Sequence, residues 1–212
     1  MIKLENILKE MNVTLGDNAI PTTGKPKAII LAGAPGAGKG YVLKGLNIGN
    51  LKVLNVDDSY IDKLKQANVS LDLKNASSED RSKQAKAMAD ANKEFAGKVE
   101  KTIEGKQSFI LDGTAASYNK TVKLKNELEK AGYEVFMLYV YTDLEKSLKQ
   151  NELRFQTSGG NDRSLAPAIV LRTWKGVTDN LPEYARAFGD NFVAVANTLE
   201  GQKIGDIEKI VQ

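Results

Sequence analysis

Short apolar runs alternate with amphipathic stretches along most of the 212-residue chain. Several of these runs are apolar at consecutive positions, which is typical of β-strands covered on both faces in a parallel sheet. The pattern predicts five strands, at residues 28–31, 51–56, 109–111, 135–141 and 192–196. Strands of this kind need helices on both faces of their sheet, and the stretches between the runs should supply them.

Those intervening stretches carry apolar residues at helical spacing. The longest covers residues 79–104, with a predicted cap at Ser78 and a stop before Gly105. Further helices are predicted at residues 120–131, 144–155 and 166–178. Strands that alternate with helices favour right-handed crossovers, so we expect a three-layer α/β domain around a central parallel five-stranded sheet.

The first 26 residues differ from the rest of the chain. The segment "MIKLENILKEM" has apolar residues at helical spacing, and residues 14–26 collect Gly, Asp, Asn, Pro and Thr as a flexible connector does. The start lacks the unbroken apolar stretch of a secretory signal, so no export is expected. We therefore assign residues 1–26 to an amphipathic helix and connector, and residues 27–212 to the folded domain. The helix could dock a protein partner or pack back on the same domain.

Composition narrows the chemistry that the chain can use. Cysteine and histidine are absent, so a general base must be a carboxylate, lysine or tyrosine, and a metal must be held by oxygen. Oxygen ligands favour Mg²⁺ over zinc. The lack of cysteine favours a protein of the reducing cytoplasm. No apolar run approaches the roughly 20 residues that cross a bilayer. The net charge of +3 is too small to indicate duplex binding, although a nucleic-acid end stays open as a substrate.

A glycine-rich loop, "GAPGAGKG", follows the first predicted strand. A strand, a glycine loop and a helix in this order form a P-loop, which cradles the phosphates of a nucleoside triphosphate. Backbone amides turn inward, the helix adds its positive dipole end, and Lys39 can reach the outer phosphates. The predicted nucleotide-binding residues are Gly33, Ala34, Pro35, Gly36, Ala37, Gly38, Lys39, Gly40 and Tyr41. A plain glycine turn is the alternative, but the lysine and the preceding strand favour the P-loop.

The loop departs from the usual P-loop pattern at Gly40, where a Ser or Thr normally binds Mg²⁺ through its hydroxyl. Tyr41 is too bulky to be a like-for-like replacement. Asp112 ends the apolar run "SFILDG" in the position of a Walker-B aspartate, and this carboxylate with water could hold the metal. Capping of the turn at Gly113 is the alternative role of Asp112.

These segments resemble known P-loop kinases. "GAPGAGKG" and "FILDG" are similar to adenylate kinase segments, in which a glycine also follows the lysine but a threonine stands where this chain has Tyr41. The order of P-loop, "NVDDSY", "LDGTAAS" and a later arginine-bearing segment resembles the zeta-toxin and polynucleotide-kinase-like group over residues 27–192. The resemblance implies a nucleoside-kinase-like three-layer fold with a helical lid.

The same resemblance implies roles for residues around the second and third strands. In that group an aspartate just past the second strand acts on the acceptor hydroxyl, and Asp57 matches this position with Asp58 beside it. Strand ends next to a P-loop face the ligand crevice, and a carboxylate is the natural base in a chain without histidine. Two aspartates that cap a helix are the alternative. "LDGTAAS" resembles the zeta-type "EGT" stretch with Asp112 in place of Glu and Thr114 retained, but it lacks the basic residue that the resemblance implies for holding the substrate. Thr114 is either an acceptor contact or a turn hydroxyl.

Three of the five arginines of the chain, Arg154, Arg163 and Arg172, lie in "RFQTSGGNDRSLAPAIVLR". A planar guanidinium matches phosphate oxygens bidentately, which suits stabilisation of a transferring phosphoryl group. A helix that ends near Arg154, a Gly-Gly hinge and a helix that carries Arg172 resemble the lid that closes over ATP in these kinases. Pairing with Glu152 and Asp162, or with helix dipoles, is the alternative.

The motifs together predict an ATP-dependent phosphotransferase that moves the γ-phosphate to a hydroxyl of a small molecule, a sugar nucleotide or a polynucleotide end. The predicted catalytic residues are Lys39, Asp57, Arg154 and Arg163, with Mg²⁺ near Asp112. The predicted substrate-binding residues are Asp58, Asp112, Thr114 and Arg172.

Two other functions stay open at this point. A nucleoside monophosphate kinase ranks second, because Asp57 and Asp58 would repel an incoming phosphate acceptor. A nucleotide-binding interaction protein without catalysis is the third reading, and the departures at Gly40 and Tyr41 are its evidence. In the first two readings the chain uses ATP, and in the third it holds a nucleotide while it binds a partner.

Overall fold

The computed structural model describes residues 24–45, 51–73, 76–159, 162–198 and 201–204. Within these residues, six strands form one sheet: β1 (Lys27–Ala32), β2 (Lys52–Asn55), β3 (Phe109–Asp112), β4 (Glu134–Tyr141), β5 (Phe192–Thr198) and β6 (Gly201–Ile204). The same residues form seven α-helices: α1 (Lys39–Gly45), α2 (Val56–Gln66), α3 (Ser78–Glu104), α4 (Tyr118–Lys130), α5 (Leu144–Thr157), α6 (Pro167–Asp179) and α7 (Leu181–Phe188). The N-terminal helix predicted for the first residues lies outside the described residues.

The strands follow the order β2-β3-β1-β4-β5-β6 across the sheet. The first five pair in parallel, and β6 pairs antiparallel with β5 at the edge. The predicted parallel five-stranded sheet and α/β class are confirmed, and each of the five predicted strands is present. The sixth strand was not predicted, because residues 201–204 carry no apolar run of the kind that marks a buried strand.

The central strands are covered on both faces, as their continuous apolar sequences require. All six residues of β1 are buried, and residues 135–140 of β4 are buried as well. Helix α6 is tied to β4 because the Tyr139 hydroxyl donates to the Val177 carbonyl at 2.9 Å and Trp174 Nε1 donates to the Thr142 carbonyl at 2.8 Å. None of the helices in the described part of the chain has both the length and the apolarity needed to span a bilayer.

The start of the long helix α3 corrects one prediction. Its cap is Ser77 rather than Ser78, since Ser77 Oγ accepts a hydrogen bond from the Asp80 amide at 3.0 Å. The Ser77 hydroxyl also donates to the Asp80 carboxylate at 2.9 Å. Two adjacent serines offer two caps of equal propensity, and the acidic residue three positions after Ser77 decides between them.

Helices α2 and α3 pack against each other around a hydrophobic cluster separate from the core of the sheet. Its buried members are Tyr60, Leu64, Val69, Leu71, Ala87 and Ala91. Polar contacts add to this packing, since the buried Ser59 hydroxyl donates to Glu94 at 3.0 Å and accepts from Lys98 at 3.0 Å. The cluster therefore holds the first turn of α2, which directly follows β2, in a defined position.

Replacement of Leu64 by alanine should destabilise the protein by about 2–5 kcal/mol, because it leaves a cavity in the α2–α3 cluster. Leu153→Ala is the matched control, since it makes the same change in a helix where the side chain is 42% exposed and Leu64 is 0% exposed. The control should shift stability by no more than about 0.5 kcal/mol. Urea unfolding curves measure both, and equal losses would contradict a separate buried cluster.

Candidate active site

The predicted phosphate loop lies where three parallel strands end side by side. It runs from the end of β1 to the start of α1, and Asp112 at the end of β3 pairs in register with Leu31. The amide of Gly113 donates to the Leu31 carbonyl, and the amide of Gly33 donates to the Thr114 carbonyl, both at 3.2 Å. These two bonds fasten the exit of β3 to the start of the loop, so Asp112 and Thr114 lie beside it.

Carbonyl groups of the loop are bound by side chains from distant parts of the chain. Asn197, on β5, donates through Nδ2 to the Ala37 carbonyl at 2.7 Å. Ser147, buried in α5, donates through its hydroxyl to the Pro35 carbonyl. With these carbonyls held on the protein side, the loop can turn N–H groups toward a ligand, as in a backbone nest for anions.

Two glycines of the loop sit where no other residue fits. Gly36 has a φ of +74°, and a Cβ there would lie 2.5 Å from the Ser147 carbonyl oxygen. Gly38 has a φ of +82°, and a Cβ there would lie 2.4 Å from Asn197 Nδ2. Both positions combine a left-handed backbone with a close neighbour, and both need glycine.

Lys39 bends back over the loop. Its Nζ donates to the carbonyls of Gly33 at 3.0 Å and Ala34 at 3.3 Å. Burial lowers the pKa of Lys39, and the nearby carboxylates of Asp112 and Asp57 oppose this shift. The ammonium group is therefore desolvated, and an anion that replaces the two carbonyls would gain a strong electrostatic interaction.

Asp112 is half-buried between the loop and the second strand. Its Oδ2 accepts a hydrogen bond from Asn55 Nδ2 at 3.0 Å. Burial raises the pKa of Asp112, Lys39 opposes the rise, and Asp57 and Asp58 add to it. The three predicted carboxylates and the loop lysine are thus within electrostatic reach of one another, which the sequence predicted from the order of strand ends.

Asp57 lies in the first turn of α2 and pairs with Arg163 through Arg163 Nη2 and Asp57 Oδ2. The same guanidinium lies 5.8 Å from the ring centroid of Tyr60, which is buried. Arg163 thus joins the predicted lid segment to the predicted base. Asp58 is exposed on the other side of the turn. The alternative in which these aspartates cap the helix is wrong, because Asn55 is the cap and its Oδ1 accepts from the Asp57 amide at 2.8 Å.

The other two arginines differ in what they contact. Arg154, in the last turn of α5, pairs with Asp162 through Nε and, at 3.1 Å, through Nη2. Its charge still acts on Lys39, whose pKa it lowers, and on Asp112, whose pKa it lowers as well. For Arg154, the structure shows the contact with Asp162 that was the alternative to a lid role, and the lid role stays a prediction. Arg172 is exposed on α6, and its role stays a prediction.

The segment between α5 and α6 is anchored at its far end. Asn151, buried in α5, donates to the Leu165 carbonyl at 3.0 Å, and the Leu165 amide donates back at 3.3 Å. Ser164 is fully buried, and its hydroxyl donates to Asp72 at 2.7 Å. These bonds place Arg163 opposite the first turn of α2.

The two residues at the start of α1 that depart from the usual loop sequence are both exposed. Gly40 is exposed, and a Cβ there would meet nothing within 4 Å. Tyr41 is 68% exposed, so its ring covers no hydrophobic core.

Several side chains of the site were not predicted. Asn55 carried a usable signal, because an asparagine directly before "VDD" at a strand end is a good helix cap. Ser147 and Asn197 carried none, since each acts only because the sheet order brings α5 and β5 beside the loop. Tyr60 reads from the sequence as an ordinary core residue of α2.

The fold and the loop together define a P-loop protein of the kinase class. A family model described as Zeta toxin matches residues 12–204, and the chain belongs to that family. This match confirms the resemblance noted in the sequence, and with the fold it supports a kinase-like phosphotransferase. No curated protein matches the chain in a sequence search.

Solved structures show the same fold at low sequence identity. A protein from Chloroflexus aurantiacus J-10-fl has a TM-score of 0.59 at 16% identity, with 89% of this chain and 96% of that chain covered. The structure of the PezAT chromosomal toxin–antitoxin system of Streptococcus pneumoniae gives 0.56 at 17% identity, with 96% and 80% covered. AvrRxo1-ORF1:-ORF2 with ATP gives 0.64 at 14% identity, and the match covers 89% of this chain but only 63% of that one.

Gly36→Ala should destabilise the loop and lower the thermal midpoint, because its Cβ would collide with a backbone carbonyl in a left-handed conformation. Gly40→Ala is the matched control, since the site is helical with open space around it and alanine is the better helix former by about 1 kcal/mol. Differential scanning calorimetry should show a lower midpoint for the first variant and an equal or higher one for the second. A stable Gly36→Ala protein would contradict the close approach of α5.

Proposed function

We propose that this chain is an ATP-dependent kinase that transfers the γ-phosphoryl group to a hydroxyl acceptor. The observation that carries this proposal is the position of Lys39, Asp57 and Asp112 at one end of the parallel sheet, where Lys39 bonds the P-loop and Asn55 bonds both the Asp57 amide and the Asp112 carboxylate. Membership of the Zeta toxin family supports it. The named roles below rest on this geometry.

The P-loop binds the triphosphate. Residues 33–41 surround the β- and γ-phosphates with backbone N–H groups, and α1 adds the positive end of its dipole. Lys39 exchanges its two carbonyl partners for phosphate oxygens. Because the ammonium is already desolvated, this exchange needs little reorganisation.

Mg²⁺ fits the donor set next to the loop only as an ion held mainly by phosphates and water. Asp112 offers a carboxylate, whereas Gly40 offers no hydroxyl. Among the described residues, no three acidic groups lie close enough to hold a metal together. Magnesium accepts such a site, because it often takes one or two protein carboxylates and keeps several waters. When bound, it would neutralise charge on the phosphates.

Asp57 orients the acceptor hydroxyl and takes its proton. The acceptor oxygen then forms a bond to the γ-phosphorus, the bond from that phosphorus to the β–γ bridging oxygen breaks, and ADP leaves with the electron pair. The ion pair between Asp57 and Arg163 must open first, and the incoming γ-phosphate is the anion that draws Arg163 away. Asp58 and Thr114 line the acceptor side.

The arginines stabilise the charge of the transferring group. Arg154 lies in the last turn of α5, and Arg163 lies in the segment that follows this helix. Both arginines act electrostatically on Lys39. A planar guanidinium binds phosphoryl oxygens bidentately and keeps its charge. Arg172 would join them only if the exposed face of α6 moves toward the loop.

The acceptor and the cellular setting belong to the proposal. The acceptor is a small alcohol, a sugar nucleotide or a polynucleotide end, and the reaction takes place in the cytoplasm. The proposal includes a protein partner that binds through residues 1–26. The likeness to a structure of a toxin–antitoxin system supports a partner of this kind.

Asp57→Asn should lower phosphoryl transfer by about 10²- to 10⁴-fold, because an amide cannot accept the hydroxyl proton. Binding of a nonhydrolysable ATP analogue should persist, since Asp57 holds no phosphate. Asp62→Asn, an exposed aspartate on the same helix, is the control and should keep the wild-type rate. Radiolabelled ATP with a panel of alcohols, sugar nucleotides and polynucleotide ends measures transfer.

Two results would count against the proposal. A wild-type rate in Asp57→Asn would remove the base from the mechanism. A wild-type protein that binds ATP but transfers to no acceptor, with Mg²⁺ or Mn²⁺, would support the non-catalytic alternative, a nucleotide-binding interaction protein, which the missing hydroxyl at Gly40 favours.

A further inference from the structure

Asn55 occupies a junction between three elements of the site. It is the last residue of β2 and the cap of α2, with an extended backbone at φ −129° and ψ 127°. It also pairs in register with Asp112, the last residue of β3. One side chain at this point can therefore reach both the helix that carries Asp57 and the strand that carries Asp112.

The carboxamide of Asn55 uses both of its ends. Oδ1 accepts from the Asp57 amide at 2.8 Å, and Nδ2 donates to Asp112 Oδ2 at 3.0 Å. The two partners fix the orientation of the amide, because a backbone N–H can only donate and a carboxylate accepts. The position of the first turn of α2 is thus linked through one rigid planar group to the orientation of the Asp112 carboxylate.

Helix capping alone does not require an asparagine here. Ser and Asp are equally good caps, and Ser77 caps α3 in this way. An aspartate at position 55 would keep the acceptor but would place a second carboxylate against Asp112. A serine would keep the cap but its hydroxyl is shorter and cannot serve both partners at these distances. The second hydrogen bond is what asparagine adds.

The hydrogen bond from Asn55 to Asp112 matters because several charged groups surround this carboxylate. The charged groups that act on Asp112 are Lys39, Asp57, Asp58 and Arg154. Lys39 and Arg154 favour the charged carboxylate, Asp57 and Asp58 disfavour it, and the neutral Asn55 donor orients it without adding a charge to the site. Groups that orient a ligating carboxylate in this way commonly matter for binding and rate although they touch no substrate.

We propose that Asn55 is a positioning residue that aligns Asp57 and Asp112 with each other through its single carboxamide. This inference rests on the proposed function, in which Asp57 faces the acceptor and Asp112 faces Mg²⁺. Asn55 itself contacts neither the acceptor nor the phosphates.

The test compares Asn55→Ser and Asn55→Asp with Ser77→Ala, which removes the cap of α3 far from the loop. Asn55→Ser should keep the thermal midpoint of the wild type, because its hydroxyl still caps α2, whereas Asn55→Asp should lower it, because a second carboxylate then faces Asp112. The kcat of both Asn55 variants should fall about 10- to 100-fold with the KM for ATP unchanged. Ser77→Ala should show the reverse of Asn55→Ser, with a lower midpoint and an unchanged kcat.

A second readout does not depend on phosphoryl transfer. Electron paramagnetic resonance of Mn²⁺ added to the protein with ADP should show about 10- to 100-fold weaker metal binding in Asn55→Ser, with ADP affinity in the absence of metal unchanged. If the wild type transfers no phosphate, the proposed function fails and the Mn²⁺ affinity alone decides on Asn55. Wild-type Mn²⁺ affinity in a stable Asn55→Ser protein would overturn the inference.

Discussion

The phosphate loop holds its shape because side chains from α5 and β5 donate hydrogen bonds to its carbonyl groups. Asn197 holds the carbonyl of Ala37, and Ser147 holds that of Pro35. An exposed strand-to-helix turn without these partners would have to satisfy its carbonyls with its own N–H groups or with water. The sheet order β1-β4-β5 brings the two side chains to the loop, so the binding site depends on strands that do not belong to it.

The second constraint on the site is the balance between burial and charge. Burial acts against the charged forms of both Lys39 and Asp112, and each group is partly compensated by the other. The arginines satisfy the remaining carboxylates, since Arg163 pairs with Asp57 and Arg154 with Asp162. In the proposed function, a phosphate that binds at the loop would compete with these aspartates for the guanidinium groups.

Local pattern was sufficient to predict much of this fold. Continuous apolar runs marked the buried parallel strands, and the glycine loop after the first of them located the phosphate site. Failures arose where local signals were equal or absent. Two adjacent serines have equal capping propensity, so only the acidic residue three positions after Ser77 distinguishes the cap of α3, and β6 has too little apolar character to stand out.

The site residues that follow strand ends could be predicted from the sequence, whereas the contacts between distant segments could not. Asp57 and Asp112 follow strands that end at one edge, so their proximity could be inferred. The pairing of Arg163 with Asp57 could not be inferred, because the two residues are 106 positions apart and their contact depends on the packing of α2 against α3. Asn55 was missed for a different reason: its capping signal was visible, but its bond to Asp112 follows only from the register of β2 with β3.

The central claim is that the loop recognises the outer phosphates of a nucleotide. Calorimetric titration of the full chain with AMP, ADP and a nonhydrolysable ATP analogue, in the presence of Mg²⁺, tests this most directly. The account predicts that affinity rises with each added phosphate and that Lys39→Ala abolishes most of the rise. Equal affinities for AMP and the ATP analogue, or an unchanged rise in Lys39→Ala, would contradict it.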